Sequence, residues 1–228
     1  MAQIELTGVS KTYRKHVSVR ALSGVSLTLE RGEFAASVGP SGSGKTTLLN
    51  LIGAIDTPDV GVIRIAGLDI TSTPAAQLAE FRLRHLGFVF QSFNLFPVLS
   101  VIENLEFVPA LQGMPKQERV RRGRRLLEEV GMSDLRDKRP DELSGGQQQR
   151  VAVLRAILPE PDLVLADEPT ANLDSENAAM LLDMMERLNR ERGVTFLFST
   201  HDPAVMSRAR RLIRLRDGRI VADETRKP

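Results

Sequence analysis

The run from Gly39 to Thr46 combines glycines with a lysine and a hydroxyl side chain in the pattern G-x-x-x-x-G-K-[ST]. It reads Gly39-Pro40-Ser41-Gly42-Ser43-Gly44-Lys45-Thr46 and continues with Thr47. Glycines allow the main chain to wrap closely, so that its N–H groups point at phosphate oxygens. We expect Lys45 to reach the β- and γ-phosphates of a nucleotide and the Thr46 hydroxyl to bind Mg²⁺.

Two adjacent carboxylates, Asp167 and Glu168, follow the apolar run Leu163-Val164-Leu165-Ala166. Alone, such a pair at the end of a strand is more often a solvated turn, but the phosphate loop changes that interpretation. Asp167 is then expected to hold Mg²⁺ through water. Glu168, one residue further on, points elsewhere and is the candidate group to polarise an attacking water. Together the two motifs predict a P-loop nucleotide-binding protein, and they leave kinases, GTPases and motors open.

A second glycine-rich segment, Leu143-Ser144-Gly145-Gly146-Gln147, stands before a predicted helix. Ser144 is a typical N-cap residue, and the two glycines leave the free N–H groups of the first turn unobstructed. The bland alternative is an ordinary capped helix after a turn. Because one nucleotide has its γ-phosphate already held by the first loop, a second anion site is explained if it serves the nucleotide of another copy.

The elements that must position these motifs follow from the spacing of apolar residues. Two-residue alternation predicts antiparallel strands around residues 4–6, 27–29 and 63–65. The run Phe34–Val38 predicts a strand that enters the phosphate loop, and leucines at helical spacing predict a helix after the loop. Continuous apolar strands near residues 163–166 and 195–198, joined by a helix over 176–192, indicate a parallel sheet buried on both faces. Asp217-Gly218 predicts a closing hairpin.

Residues 93–158 show helical periods instead, and far too many residues separate Lys45 from Asp167 for one βαβ step. A helical block is therefore expected between the two halves of the site. His201 follows the later apolar strand, so it is expected at the carboxyl edge of the sheet, where ligands of open α/β sheets bind.

Composition limits the possible classes of protein. The 228 residues suit one domain that carries an insertion, and the lack of cysteine removes disulfides, thiolate zinc sites and cysteine nucleophiles. The 31 Lys and Arg against 29 Asp and Glu give a net charge of +2, which argues against a nucleic-acid role. No apolar run approaches a membrane span and the start lacks a signal pattern, so a soluble, unexported chain is predicted.

In these motifs the sequence resembles the ATP-binding cassette (ABC) family over the whole chain. Shorter features stand in the same order as in that family: Tyr13 where an aromatic stacks on adenine, Gln91 after Phe88-Val89-Phe90, the run Ala171-Asn172-Leu173-Asp174, and His201 after Ser199-Thr200. The resemblance implies that Gln91 contacts Mg²⁺ or the attacking water, that Asp174 belongs to a loop at the nucleotide, and that His201 stabilises charge on the γ-phosphate.

The resemblance also implies an architecture. It is an α/β P-loop NTPase fold of the RecA-like type, with a mixed-sheet core, an N-terminal antiparallel β subdomain and an inserted α-helical subdomain. The expected single domain spans 1–228, with 1–92 and 159–228 forming the core and 93–158 forming the helical subdomain. ATP and Mg²⁺ are the implied cofactors. Two copies are implied to pack head to tail, with ATP between the loop at Gly39–Thr46 of one and Ser144-Gly145-Gly146-Gln147 of the other.

Within the family, residues 51–58, 86–95 and 165–170 look most like the branch that serves lipoprotein release, macrolide export, peptide-antibiotic efflux and bacterial cell division. A separate transmembrane permease subunit is then the implied partner, with the chain peripheral on the cytoplasmic face of the inner (plasma) membrane. Two alternatives remain open: a soluble ABC ATPase acting on nucleic acid or ribosomes, and a non-transporting scaffold. One departure from the family pattern is Leu154, because the helix that follows Leu143–Gln147 commonly has alanine at this position.

Two further segments have competing interpretations. We expect most of the apolar cluster after Gln91 to be core, with a few members exposed to receive a helix of a membrane subunit. The cluster consists of Phe93, Leu95, Phe96, Val98, Leu99, Val101, Ile102 and Leu105. A basic run from Arg119 to Arg125 is flanked by glutamates, so a solvated helix face is favoured over a nucleic-acid surface.

Overall fold

The computed structural model describes residues 2–14 and 18–226. Strands in these residues are Ala2–Arg14 (β1), Ser18–Glu30 (β2), Phe34–Val38 (β3), Val60–Ile65 (β4), Leu68–Asp69 (β5), Leu86–Val89 (β6), Leu163–Asp167 (β7), Thr195–Thr200 (β8), Arg211–Arg216 (β9) and Arg219–Thr225 (β10). The α-helices are Lys45–Ile52 (α1), Ala75–His85 (α2), Val101–Leu111 (α3), Lys116–Glu129 (α4), Gly145–Ile157 (α5), Ser175–Arg192 (α6) and Pro203–Arg208 (α7).

The strands of the described residues form two sheets. A four-stranded antiparallel sheet has the order β2-β1-β4-β5, as the two-residue alternation predicts. A six-stranded sheet has the order β10-β9-β3-β8-β7-β6, with parallel pairing from β9 to β6 and an antiparallel β10 at the edge. Every residue of β3 and β8 is buried, which explains why these strands carry continuous apolar runs without alternation.

The six-stranded sheet separates two hydrophobic cores. Phe34, Phe196 and Phe198 pack on one face with residues of the helices α3 to α6. Ala35 and Leu197, their neighbours along the same strands, pack on the other face with α1 and the antiparallel sheet. Because successive side chains of a strand point to opposite faces, each parallel strand contributes to both cores.

A helical segment, formed by α3, α4 and α5, lies between β6 and β7 in the chain. Ser100 and Glu103 form a capping box that starts α3, and α3 contacts both α4 and α5. The arginines of α4 are largely paired with carboxylates: Arg121 and Arg122 bind Glu118, and Arg125 binds Glu129. This face therefore carries far less free positive charge than the sequence alone suggests.

The expectation that most of the apolar cluster after Gln91 is core, with a few members exposed, agrees in part with the structure: Leu95 and Ile102 pack, partly buried, against the core. Of its eight members, Val101 and Leu105 are buried, whereas Phe96 is 38% and Val98 74% exposed. Residues 93–100 contain no helix or strand in the structure, and α3 begins only at Val101. Because residues 93–100 do not form a helix, they have no single face that could turn all their apolar side chains toward the core. Most of these side chains therefore stay partly accessible.

Elements at both ends of the central sheet complete the fold. Helix α2 and strand β6 are additional to the elements that the apolar pattern predicts. The predicted hairpin between β9 and β10 is confirmed: Asp217 and Gly218 have φ values of 48° and 73°, as a two-residue turn of this kind requires. None of the helices in the described ranges is long and apolar enough to cross a membrane.

Leu154 occupies the core of the helical segment, so replacing it should be costly. Its side chain is fully buried in α5, and truncation leaves a cavity. We expect Leu154→Ala to lower the free energy of unfolding by about 2–5 kcal/mol. Leu111→Ala, at a residue that is 60% exposed, is the matched control and should change it by less than about 0.5 kcal/mol. Urea titrations followed by circular dichroism measure both; equal midpoints for the two variants would contradict the packing described.

Candidate active site

The phosphate loop connects β3 to α1 at the carboxyl edge of the central sheet. Gly44 is the N-cap of α1, in the left-handed conformation with φ 105°, and Lys45 is the first residue of the helix. Lys45 is only 8% exposed, and its Nζ donates hydrogen bonds to Gly39 O at 2.9 Å and Pro40 O at 3.1 Å. The loop thus encloses its ammonium group beside the free N–H groups of a helix start, which is an anion-binding arrangement.

Close approach of neighbouring strands explains the glycines of this loop. A Cβ at Gly39 would lie 2.2 Å from Leu215 O of β9, and one at Gly44 would lie 2.5 Å from Ala21 O of β2. Both neighbours are backbone atoms, so they cannot move aside as a flexible side chain would. The loop is therefore fixed between the two sheets, and a larger residue at either position would displace it.

Asp167 is the last residue of β7, and its Oδ1 is buried without a hydrogen-bond partner in the described part of the chain. Burial raises the pKa of this carboxyl, and the neighbouring Glu168 charge raises it further, whereas Lys45 lowers it. An unsatisfied buried carboxylate oxygen is costly unless a cation or proton meets it. The donor set of Asp167 and the Thr46 hydroxyl is chemically suited to Mg²⁺, which prefers oxygen ligands.

Glu168 has a left-handed backbone, with φ 45°, directly after the strand. One carboxylate oxygen lies 2.6 Å from His201 Nδ1, and the other accepts a hydrogen bond from Thr200 Oγ1 at 3.0 Å. Its main-chain N–H donates to Ser199 O at 2.9 Å. A non-glycine residue in this conformation is strained, and such strain persists only where surrounding contacts impose it. The carboxylate is thereby bonded to Thr200 at the end of β8 and to His201 directly after it.

A cleft of about 520 Å³ brings most of the predicted residues together. The predicted residues that line it are Tyr13, Pro40, Ser41, Gly42, Gly44, Lys45, Thr46, Thr47, Glu168 and His201. The His201 side chain is 73% exposed, whereas that of Glu168 is only 18% exposed. The cleft is therefore lined by the phosphate loop, by the Glu168–His201 pair and by the ring of Tyr13.

Tyr13 is held by a polar cluster that no sequence motif predicted. Its hydroxyl donates to Asp56 Oδ2 at 3.0 Å, and Lys11 Nζ binds Asp56 Oδ1 at 2.6 Å. Burial raises the pKa of the Tyr13 hydroxyl, which keeps it protonated as a donor. Val19, 56% exposed and paired with Tyr13 across β1 and β2, adds an apolar surface to the cleft. An exposed valine opposite Tyr13 was a usable signal for this surface.

The second glycine-rich segment, Leu143–Gln147, does not line this cleft in its own chain. Ser144 caps α5: its Oγ accepts from Gln147 N at 3.3 Å, and Gln147 Oε1 accepts from Ser144 N at 2.9 Å. This capping box confirms the predicted helix start. A Cβ at Gly146 would lie 2.1 Å from Asn177 Oδ1, so the segment packs tightly on the start of α6.

Asp174 and Gln91 also lie outside the lining of the cleft. Asp174 is the N-cap of α6 and accepts from Asn177 N at 2.8 Å. Gln91 is exposed just beyond β6, and its carbonyl accepts from Asn172 Nδ2 at 2.9 Å. A single copy therefore does not place Ser144, Gly145, Gly146, Gln147 or Asp174 around the phosphate loop.

A phosphate loop between β3 and α1, together with Asp167 at the end of β7 and Glu168 directly after it, defines a P-loop nucleotide-hydrolysing protein. A family model described as ABC transporter matches residues 22–171. The chain belongs to the ABC transporter family, and it is an ATP-binding cassette with ATPase chemistry. This agrees with the class of protein that the motifs predict.

Curated relatives cover the chain almost completely. It is 47% identical over 223 residues to the lipoprotein-releasing system ATP-binding protein LolD of Anaeromyxobacter dehalogenans, covering 96% of this chain and 93% of the relative. It is 46% identical over 222 residues to the macrolide export ATP-binding/permease protein MacB of Syntrophobacter fumaroxidans, again covering 96% of this chain. The chain spans only 31% of the length of that MacB protein.

Solved structures confirm the predicted fold class. The ATP-binding cassette MJ0796, in a dimeric post-hydrolysis state bound to ADP and phosphate, superposes with a TM-score of 0.88 at 37% identity, covering 99% of both chains. The cassette cbiO1 from Clostridium perfringens superposes with a TM-score of 0.89 at 27% identity, covering 98% of this chain and 88% of the other. The mixed α/β architecture is therefore that of ABC cassettes.

The ring of Tyr13, rather than its hydroxyl, should matter for nucleotide affinity. Tyr13→Ala should weaken ATP binding about 5- to 150-fold, because stacking of a base on an aromatic ring contributes about 1–3 kcal/mol. Tyr13→Phe keeps the ring and loses only the hydrogen bond to Asp56, so its Kd should stay within about threefold of wild type. Equilibrium binding of a fluorescent ATP analogue measures both; equal losses in the two variants would assign the effect to the hydroxyl.

Proposed function

We propose that this chain is the ATP-hydrolysing subunit of a membrane complex of the lipoprotein-release or macrolide-export type, acting on a separate transmembrane permease from the cytoplasmic face of the inner membrane. The names of the LolD and MacB relatives support the type of complex. The observation that carries the chemistry is the carboxylate of Glu168, fixed 2.6 Å from His201 Nδ1 at the mouth of the phosphate loop.

Binding is assigned to the phosphate loop and the aromatic wall of the cleft. Tyr13 and Val19 receive the adenine, and the main-chain N–H groups of residues 39–47, to which Pro40 contributes none, surround the phosphates. Lys45 exchanges its bonds to Gly39 O and Pro40 O for the β- and γ-phosphate oxygens. Thr46, Asp167 and Gln91 are the residues that would hold Mg²⁺, which neutralises charge on the phosphates when it is bound.

Hydrolysis is assigned to Glu168 and His201. Glu168 accepts a proton from, or orients, the water that attacks the γ-phosphate in line with the leaving ADP oxygen. His201 directs Nδ1 toward Glu168, so Nε2 donates to a γ-phosphate oxygen only when both ring nitrogens carry a proton, as in the imidazolium form. Thr200 holds the second oxygen of Glu168, so the carboxylate has one orientation rather than several.

A complete site requires a second copy of the chain. The anion-binding start of α5 at Ser144, Gly145, Gly146 and Gln147 does not line the cleft of its own chain. Head-to-tail packing of two copies places this segment, together with Asp174, against the nucleotide of the other copy. The dimeric MJ0796 cassettes support this arrangement. ATP then closes the pair and hydrolysis opens it.

The surface for the membrane partner is assigned to residues 93–100. This segment follows Gln91 directly and exposes Phe96 and Val98, which are unusual apolar groups to leave in contact with water. A nucleic-acid partner is less well supported, because arginines of α4 are paired with Glu118 and Glu129. A non-transporting scaffold would use the same surface, so co-purification of the membrane subunit is needed to identify the complex.

Replacing the water-activating carboxylate should separate ATP binding from hydrolysis. Glu168→Gln should keep ATP affinity while lowering kcat about 10²–10⁴-fold, the usual contribution of a positioned base. Because ATP then persists, an ATP-bound dimer should accumulate, which size-exclusion chromatography with light scattering detects. Glu5→Gln, at an exposed residue of β1, is the control and should match wild type. Turnover within a factor of a few of wild type would assign the base to another residue.

A charge at the exposed end of residues 93–100 should detach the partner. Val98→Asp should abolish co-purification of the membrane subunit from detergent extracts, since an unpaired charge in an apolar interface costs several kcal/mol. ATP binding should be unchanged, because Val98 is 74% exposed and distant in sequence from the phosphate loop. Leu95 is unsuitable for this test because it packs against the core. Leu111→Asp, at an exposed residue of α3, is the control, and loss of the partner in both variants would contradict this surface.

A further inference from the structure

The two main-chain carbonyls that flank the α-carbon of Gln91 are both held by side-chain amides from other elements. Phe90 O accepts from Gln149 Nε2 at 3.2 Å, and Gln91 O accepts from Asn172 Nδ2 at 2.9 Å. Gln149 belongs to α5, and Asn172 lies between β7 and α6. The backbone of Gln91 is therefore fixed from two sides, although its side chain is exposed.

Gln149 makes a second contact that reaches the catalytic carboxylate segment. Its Nε2 also donates to Pro169 O at 2.9 Å, and Pro169 directly follows Glu168. Gln149 is fully buried, and its Oε1 has no hydrogen-bond partner among the described residues. Burial of an amide lowers the stability of the fold unless its polar atoms form hydrogen bonds. Here one NH₂ group joins the ends of two parallel strands, β6 and β7, to the helix behind them.

The next residues of the same segment are held in a similar way by Arg155, also on α5. Its guanidinium donates to Asn94 O at 2.5 Å and to Phe93 O at 3.3 Å. Asn94 has a left-handed backbone, with φ 50°. A guanidinium offers five fixed donors, so it can hold two successive carbonyls at once. Side chains of α5 thus bind the segment at both ends.

We propose that Gln149 and Asn172 are positioning residues for Gln91: they hold its backbone so that its side chain is presented to the nucleotide site and moves with α5. This inference rests on the role of Gln91 in the proposed function and adds the residues through which that role is controlled. Because α5 begins at Ser144, the helix that would grip the nucleotide of the second copy is the same one that holds Gln91. Closure on one nucleotide is then transmitted to the Gln91 of the other site.

A double-mutant cycle on kcat tests this positioning role. Asn172→Ala and Gln149→Met should each lower kcat about 2- to 10-fold, the equivalent of one or two ordinary hydrogen bonds, with the KM for ATP within about twofold of wild type. In a Gln91→Ala background Asn172→Ala should not lower kcat further, since Asn172 acts through Gln91, whereas Gln149→Met should keep the part of its effect that runs through Pro169. Gln112→Met is the matched control: it removes an amide bond to Leu83 O at 2.9 Å in another part of the fold and should leave kcat unchanged.

Hydrogen–deuterium exchange of the nucleotide-free protein provides a readout that does not depend on turnover. Peptides covering residues 90–95 should exchange faster in Asn172→Ala and Gln149→Met than in wild type, and at the wild-type rate in Gln112→Met. If Gln149→Met fails to fold, Asn172→Ala decides alone, because Asn172 is exposed.

The possible failures are distinguishable. If Gln91→Ala keeps the wild-type kcat, the assigned role of Gln91 is wrong and the positioning role is overturned with it. If Gln91→Ala lowers kcat but adding Asn172→Ala lowers it again by the same factor as in wild type, only the positioning role is overturned. Unchanged exchange of residues 90–95 in both variants would also overturn it.

Discussion

The hydrogen-bonded register of three parallel strands is the constraint on which the site depends. Val38 at the end of β3 pairs with Thr200 of β8, and Asp167 at the end of β7 pairs with Ser199. The phosphate loop, the two carboxylates and His201 each begin where one of these strands stops. Because parallel strands in register end at the same edge of a sheet, segments far apart in the chain meet there. A shift in the register of β8 would separate Glu168 from His201.

The parallel sheet can hold this register because both of its faces are covered. Phe34 and Phe198 pack edge to face with ring centroids 4.7 Å apart, and Phe196 lies against both rings. This aromatic cluster lies below the segments that carry Glu168 and His201. On the opposite face, α1 and the antiparallel sheet complete the second core. That second contact also brings β1, and with it Tyr13, to the edge of the phosphate loop.

Several groups at the site are unfavourable for folding by themselves. Asp167 has one buried, unpaired oxygen, Glu168 has a strained backbone, and Gln149 is an amide enclosed in the core. Two of these groups are fixed by hydrogen bonds: Glu168 is bonded to Thr200 and His201, and Gln149 to Phe90 and Pro169. Such groups are maintained where chemistry requires them, and the two apolar cores supply the stability that offsets their cost.

The sequence alone determined the local features of this protein. The glycines of the phosphate loop, the Ser144 cap, the carboxylates after β7 and the Asp217-Gly218 turn each depend on neighbouring residues, so their types and spacing are sufficient to identify them. Strand periodicity likewise predicted both kinds of sheet, and the order of motifs predicted the family. Sequence spacing also placed His201 at the edge of the sheet that carries the phosphate loop, but it could not give the side-chain contacts between distant segments outside the motifs.

Only the tertiary structure decided those contacts. Asp56 meets Tyr13, and Gln149 and Asn172 meet the carbonyls of residues 90 and 91, because strand order brings together segments that are far apart in the chain. The same reason explains why the sequence could not tell which members of the apolar cluster after Gln91 would be exposed. An apolar run indicates a preference for burial, but whether Val98 is covered depends on the elements that pack over it, and in this chain none of the described residues does so fully.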